Sequence, residues 1–160
     1  MKKQLFGGLI SALLALAASR SLAYEISSSA IVNEDGSLRI KGKTVQLYGI
    51  HIPRTDQTCT SYRRPPLCSS RAALALDFKI HGFVRCDIIG EANDGALIGQ
   101  CRVRSSKFDE GEDLSAYLLE KGWAVALPDA PFEYHTLEKI SQSRQLGVWG
   151  IPVDNIRRPQ

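Results

Sequence analysis

Five short segments of strand-like composition, separated by turn signals and interrupted by one helical pattern, constrain the fold of this chain most. The segments are residues 25–33, 38–41, 44–50, 83–89 and 97–104. The dipeptide Asp35-Gly36, the single Gly42 and the run 93–95 (Asn-Asp-Gly) supply the turns. Because closing an antiparallel sheet removes its exposed edges, the pattern predicts a small five-stranded barrel within one α+β domain.

Three helical segments complete the expected architecture. Apolar residues recur at helical spacing from a cap at Ser69 or Ser70 to about His81. A second helix is expected from Asp113 to Gly122, and a third from Pro131 to Gly147. The predicted order is therefore β-β-β-α-β-β-α-α.

The first 23 residues have the pattern of a secretory signal peptide. Two lysines precede an apolar run, and small residues lead to an expected cleavage between Ala23 and Tyr24. The run is short for a membrane anchor, which is the alternative interpretation. We expect an exported protein, periplasmic or secreted, with its domain at 24–150, a flexible tail at 151–160 and no membrane span after cleavage.

Removal of that segment changes the charge of the chain. The whole chain has 20 Lys and Arg residues and 17 Asp and Glu residues. The signal segment contains three of the basic residues and none of the acidic ones, so the remaining chain has 17 of each. A net charge of zero does not favour strong nonspecific binding of nucleic acid, which usually needs a basic surface.

Four cysteines in an exported chain predict two disulfides. A hairpin centred between Asn93 and Asp94 places Cys86 opposite Cys101 and Gly90 opposite Leu97. Directly opposed residues in an antiparallel pair have Cα atoms about 4.5–5.5 Å apart, which suits a disulfide. We therefore expect a Cys86–Cys101 bridge.

The two remaining cysteines, Cys59 and Cys68, bracket a loop that contains Pro65-Pro66 and can bring its ends together. They form the second predicted bridge. The alternative is four free thiols packed as small apolar side chains.

Four stretches of the chain together resemble, in order, the staphylococcal nuclease (thermonuclease) family. They are 34–40 with Gly42 and 45–50; Pro53 with Gln57 and Cys59; Val84-Arg85-Cys86 with Gly95 and Cys101; and Leu118, Gly122-Trp123-Ala124, Tyr134, Glu138 and Gly147-Val148-Trp149. The resemblance implies an OB-fold barrel with packed helices. The active members of that family are calcium-dependent phosphodiesterases that act on DNA and RNA.

That chemistry needs carboxylates for the metal, a carboxylate base and two arginines for the phosphate. Aligned on the family's motifs, the metal carboxylates are replaced by Gly36 and His51, the base by Arg54, and the arginines by Gln46 and Ala96. The resemblance therefore implies a nuclease-like scaffold without the nuclease's chemical groups. The aromatic pair that stacks on the nucleotide falls near Pro128 and Ala130.

Weaker candidates remain for metal and anion binding. The metal candidates are Asp35, His51 and Asp56, and the anion candidates are Arg54, Arg63, Arg64 and Arg71. Solvated loop positions explain both sets more simply. Trp123 and Trp149 are interpreted as packing residues, and the acidic run 109–113 as a helix start favoured by the helix dipole.

The leading functional hypothesis is an exported binding or accessory module of the cell envelope that has lost phosphodiesterase activity. The alternatives are an active metal-dependent endonuclease with a rebuilt site, and an accessory factor in envelope polysaccharide production. We expect a monomer with no cofactor, calcium being required only in the nuclease case. The expected partner is an unknown envelope ligand, with nucleic acid not favoured.

Overall fold

The computed structural model describes residues 24–55 and 70–150. The strands within them are β1 Tyr24–Val32, β2 Leu38–Ile40, β3 Lys43–Leu47, β4 Ile50–His51, β5 Phe83–Glu91, β6 Leu97–Val103, β7 Glu112–Asp113 and β8 Val125–Ala126. The helices are α1 Arg71–Lys79, α2 Leu114–Glu120 and α3 Phe132–Ser143, with a 3-10 helix at Gly147–Trp149. The predicted order is confirmed for the longer elements, and three two-residue strands are added to it. The predicted signal segment and tail lie outside the described residues.

Five of the strands close into a barrel. Their order is β3-β2-β1-β5-β6, and β3 returns to pair with β6 in parallel. Alternate side chains point inward and form the core, and the largest of them from the strands are Leu38, Ile40, Val45, Val84 and Val103, all with no exposed surface. The predicted small α+β barrel is therefore confirmed, and it is OB-like in form.

The predicted strand 44–50 is wrong at its end, because β3 stops at Leu47. Gly49 has a φ of +74°, and a Cβ there would lie 3.0 Å from Cε2 of Tyr134. The chain turns at this glycine, and β4 then pairs with β8 instead of continuing the barrel. Two-residue strands of this kind have no periodicity that a sequence could reveal.

Cys86 and Cys101 lie directly opposite each other on β5 and β6, and their Cα atoms are 4.0 Å apart in a disulfide. Both side chains are fully buried in the barrel. The predicted pairing is confirmed, and such a bridge is typical of proteins that fold in oxidising compartments. The predicted bridge between Cys59 and Cys68 lies outside the described residues.

The pairing nearer the hairpin tip differs from the prediction. Gly90 pairs with Ile98 and not with Leu97, because the turn is centred on Asp94, half a residue later than predicted. Ile89 is then an extra residue on β5, a bulge that shifts the register back by the time the cysteines meet. The correct disulfide therefore results from two offsets that cancel.

A residue from before the helix, Thr55, accepts a hydrogen bond from the first backbone amide of α1. Ser70 is the N-cap residue, as predicted, but its hydroxyl makes no capping hydrogen bond. Instead the amide of Arg71 donates to Oγ1 of Thr55 at 2.9 Å. Thr55 is 3% exposed, so this bond ties the segment that follows β4 to the start of the helix.

Asp113 connects three elements of the domain, in addition to capping α2 as predicted. Its Oδ1 accepts from the Ala116 amide at 3.0 Å. Its Oδ2 accepts from Nε2 of Gln100 on β6 at 2.7 Å and from the hydroxyl of Tyr134 on α3 at 2.8 Å. Burial, and then the charge of Asp113, raise the pKa of Tyr134 well above its usual value, so the phenol stays a donor.

The C-terminal part of the domain differs from the prediction in one respect. Helix α3 ends at Ser143, earlier than the expected Gly147, and the 3-10 helix follows. Trp123 packs against the core as predicted, and Trp149 lies half-buried in the 3-10 helix. Among the described residues no helix is long and apolar enough to cross a membrane.

Candidate functional site

A polar cleft opens where the start of β2, the end of β3 and the strand β4 meet. It has a volume of about 190 Å³, and we define it by Asp35, Gly36, Ser37, Gln46, His51 and Ile52. Three of the five predicted positions, Gly36, Gln46 and His51, are thus brought together. Arg54 follows the cleft on an exposed position and does not line it, and Ala96 is buried in the turn region beside Asp94.

Gly36 does more than lack a carboxylate. It has a φ of +86°, and a Cβ built on it would lie 2.5 Å from Cδ1 of Ile52. An aliphatic side chain therefore occupies the space that a side chain at position 36 would need. In this conformation a residue such as aspartate at that position would require both Ile52 and the turn to move.

Asp35 contributes its carboxylate to the turn itself. Oδ1 accepts from the amide of Ser37 at 2.9 Å and from its hydroxyl at 2.7 Å. Nδ2 of Asn33 donates to the same hydroxyl at 2.9 Å. These bonds hold the turn that carries Gly36, so one Asp35 oxygen already has a structural role at the edge of the cleft.

Gln46 and His51 give the cleft its remaining polar character. Nε2 of Gln46 donates to Oδ2 of Asp94 at 3.4 Å, which links β3 to the tip of the β5–β6 hairpin. Burial lowers the pKa of His51 below the ordinary value of 6.5, so its imidazole is neutral at pH 7. A neutral imidazole can accept or donate a proton but does not attract a phosphate by charge.

The lowered pKa of His51 has a measurable consequence for stability. The folded state disfavours the imidazolium, so stability is complete above about pH 6.5 and is lost as pH falls through the lower folded-state pKa. We expect His51→Gln to remove this part of the pH dependence in urea titrations between pH 7.5 and 5. His81→Gln, at an exposed position, is the matched control and should retain it. Equal pH profiles for the wild type and His51→Gln would contradict the assignment.

The predicted metal and anion candidates are only partly described. Within residues 24–55 and 70–150 no three His, Cys, Asp or Glu side chains converge on a common point. Asp56, Arg63 and Arg64 lie outside these ranges, so neither candidate set is tested. Arg71 is exposed at the start of α1, and the acidic run near α2 includes the capping residue Asp113.

A second depression, which we call the outer groove, adjoins the polar cleft through Gln46 and was not predicted. Its volume is about 270 Å³, and we define it by Gln46, Tyr48, Ile89, Gly90, Ile98, Leu127 and Asp129. Its lining is mainly apolar. The outward-facing Ile98 on β6 was the available signal, but the Ile89 bulge and the loop after β8 could not be predicted from the sequence. The positions of the family's aromatic pair, Pro128 and Ala130, flank Asp129 of this groove.

No known protein-family profile matches the chain. The chain is similar to a protein of Rhizobium meliloti (strain 1021) named succinoglycan biosynthesis protein ExoI. The two are 27% identical over 146 residues, which cover 89% of this chain and 74% of that protein.

Proposed function

We propose that this chain is a nuclease-like barrel that no longer hydrolyses phosphodiesters and serves as an accessory binding module in the production of an envelope polysaccharide. The observation that carries the loss of hydrolysis is that Gly36 stands in the polar cleft where the nuclease family has a metal carboxylate. Together with Gln46, Arg54 and Ala96 at their positions, it leaves the cleft without the groups that a calcium-dependent phosphodiesterase uses. Removing even one electrostatic donor can lower a rate by about 10²- to 10³-fold.

Two further observations support the polysaccharide role. The similar Rhizobium meliloti protein is named for succinoglycan biosynthesis. Among the described residues, neither the polar cleft nor the outer groove is lined by lysine or arginine. Depressions without cations in their described lining are poorly suited to a phosphate backbone, whereas barrels of this kind also bind oligosaccharides.

A hydrolytic function is the second candidate, and His51 favours it. Its imidazole is neutral at pH 7 because of burial, as a general base must be, and it shares the polar cleft with Asp35. A hydrolase built on this pair would depend on His51 directly. A binding module would keep its fold and its role without that residue.

The experiment that separates the two candidates uses purified residues 24–160 with DNA and RNA in calcium, magnesium, manganese and zinc. We expect no cleavage above the level of a heat-unfolded sample. Metal-dependent cleavage that disappears in His51→Ala or Asp35→Ala, with an unchanged circular dichroism spectrum, would establish the hydrolase instead.

The polysaccharide role has its own test in the source organism. Deleting the gene is expected to reduce the yield or chain length of surface polysaccharide. Both the wild-type gene and the His51→Ala variant are expected to restore it. An unchanged yield and size distribution after deletion would contradict the proposed role.

A further inference from the structure

The outer groove has a floor built from one row of residues across three strands. Gln46 on β3 is the parallel partner of Ile98 on β6, and Ile98 is the antiparallel partner of Gly90 on β5. Val45 and Leu47 point into the core, so alternation turns Gln46 outward, and the buried Gly99 likewise leaves Ile98 outward. The floor is therefore polar at one end, apolar in the middle and bare at Gly90.

Gly90 follows the bulged residue Ile89, and neither its backbone conformation nor its surroundings require glycine. Its φ is not in the left-handed region, and a Cβ added to it would meet nothing within 4 Å. Glycine in a strand generally weakens the strand, and it often marks either a bulge or the close approach of another molecule. The bare backbone at Gly90 lies in the floor of a depression, which is where such an approach would occur.

The walls of the groove identify the chemistry of the molecule that would fit. The half-buried Tyr48, the bulged Ile89, which is 46% exposed, and Leu127 from the loop after β8 present apolar surface. Gln46 at the polar end of the floor and the exposed carboxylate of Asp129 add hydrogen-bonding groups. A volume of about 270 Å³ has room for a ligand of about one ring.

Charge selects among ligands of that size. Asp129 is the charged residue in the lining and no cation accompanies it within the described part of the chain. Phosphates and uronic acids would therefore meet a carboxylate without a counter-charge. A neutral sugar has apolar C–H faces for the walls and hydroxyl groups for the amide of Gln46 and the carboxylate of Asp129.

We propose that the outer groove binds a neutral pyranose ring of a glycan, with the ring seated over Gly90. This inference rests on the proposed function and specifies its ligand class and its site. It requires that bulk added at Gly90 block binding without harming the fold.

The test is an NMR titration of ¹⁵N-labelled residues 24–160 with neutral hexasaccharides: cellohexaose, laminarihexaose and a β-1,4-galactohexaose. At least one is expected to shift the amides of Gly90, Ile98 and Leu127. Gly90→Val is expected to weaken that binding about tenfold or more, because the added side chain fills the floor. The thermal unfolding midpoint of Gly90→Val should not fall, because a Cβ at position 90 meets no atom within 4 Å. Ser27→Val, outward and exposed on β1, is the matched control and should bind normally.

A second variant protects the test against a folding defect. Asp129→Asn changes an exposed loop residue and should also weaken binding, since it replaces a charged acceptor by a neutral one. The absence of groove shifts with all three neutral sugars would overturn the inference. Wild-type affinity in well-folded Gly90→Val would also overturn it, as would preferential binding of a hexagalacturonate or an octathymidylate in the groove. The gene-deletion phenotype tests the proposed function separately. A glycan that bound elsewhere on the barrel would therefore contradict the assigned site but not the polysaccharide role.

Discussion

Replacing both Cys86 and Cys101 by alanine is expected to lower the free energy of unfolding by about 3 kcal/mol, the value for a loop of about 15 residues. The separation of the two cysteines is 15 residues. The bridge limits the unfolded chain, and its sulfurs also fill space in a barrel core where neither residue is exposed. Urea unfolding of residues 24–160, followed by circular dichroism, measures the change.

The control for this prediction is the Cys59→Ala/Cys68→Ala double variant, which leaves the barrel hairpin unchanged. Reduced wild-type protein should resemble the Cys86→Ala/Cys101→Ala variant in its urea midpoint. The prediction fails if the barrel-core variant keeps wild-type stability, or if nonreducing peptide maps of the wild type place either core cysteine with Cys59 or Cys68.

Asp113→Ala is expected to destabilise the protein by a similar amount, about 3 kcal/mol, because it removes an N-cap and leaves two donors without their acceptor. The lost bonds join Asp113 to the Ala116 amide, to Gln100 and to Tyr134. These partners belong to α2, β6 and α3, so the change loosens the packing of both C-terminal helices on the barrel. Urea unfolding again provides the measurement.

Glu120→Ala on the same helix is the matched control, and its effect should stay within about 0.5 kcal/mol because the side chain is at the surface. Tyr134→Phe should lower the free energy of unfolding by only part of the amount expected for Asp113→Ala. The losses of the two single variants should not add up in the double variant. Full additivity would show that the carboxylate and the phenol act independently. A small loss in Asp113→Ala would show that water replaces the carboxylate.

Much of the fold was predictable because local chemistry determines it. Turn residues such as Asp35-Gly36 and alternating apolar positions identify the five barrel strands. The Asp113 cap and the glycines mark helix ends to within a few residues. Strand ends were harder to predict: β3 stops at Leu47, and the chain turns at Gly49 beside the ring of Tyr134, which is far along the chain.

The candidate site, like the fold, was only partly predictable from the sequence. The absence of a carboxylate at Gly36 and of an arginine at Gln46 is visible in the residues themselves once a resemblance assigns their positions. That Ile52 fills the space beside Gly36 is not visible, because it depends on how the segment after β4 folds back over the turn. The sequence therefore indicated which groups are missing, and the structure shows that Ile52 lies in the space beside Gly36.

The sequence alone determined the barrel and the order of the main elements, since strand alternation and turn chemistry act over a few residues. The tertiary structure decided the bulge at Ile89, the pairing of β4 with β8 and the outer groove. Each of these joins residues that are distant in the chain, and a bulge adds one residue without any change in composition. Gly90 needs both kinds of information. The sequence shows that this residue is glycine, but only the structure shows that it lies in the floor of the outer groove with open space above it.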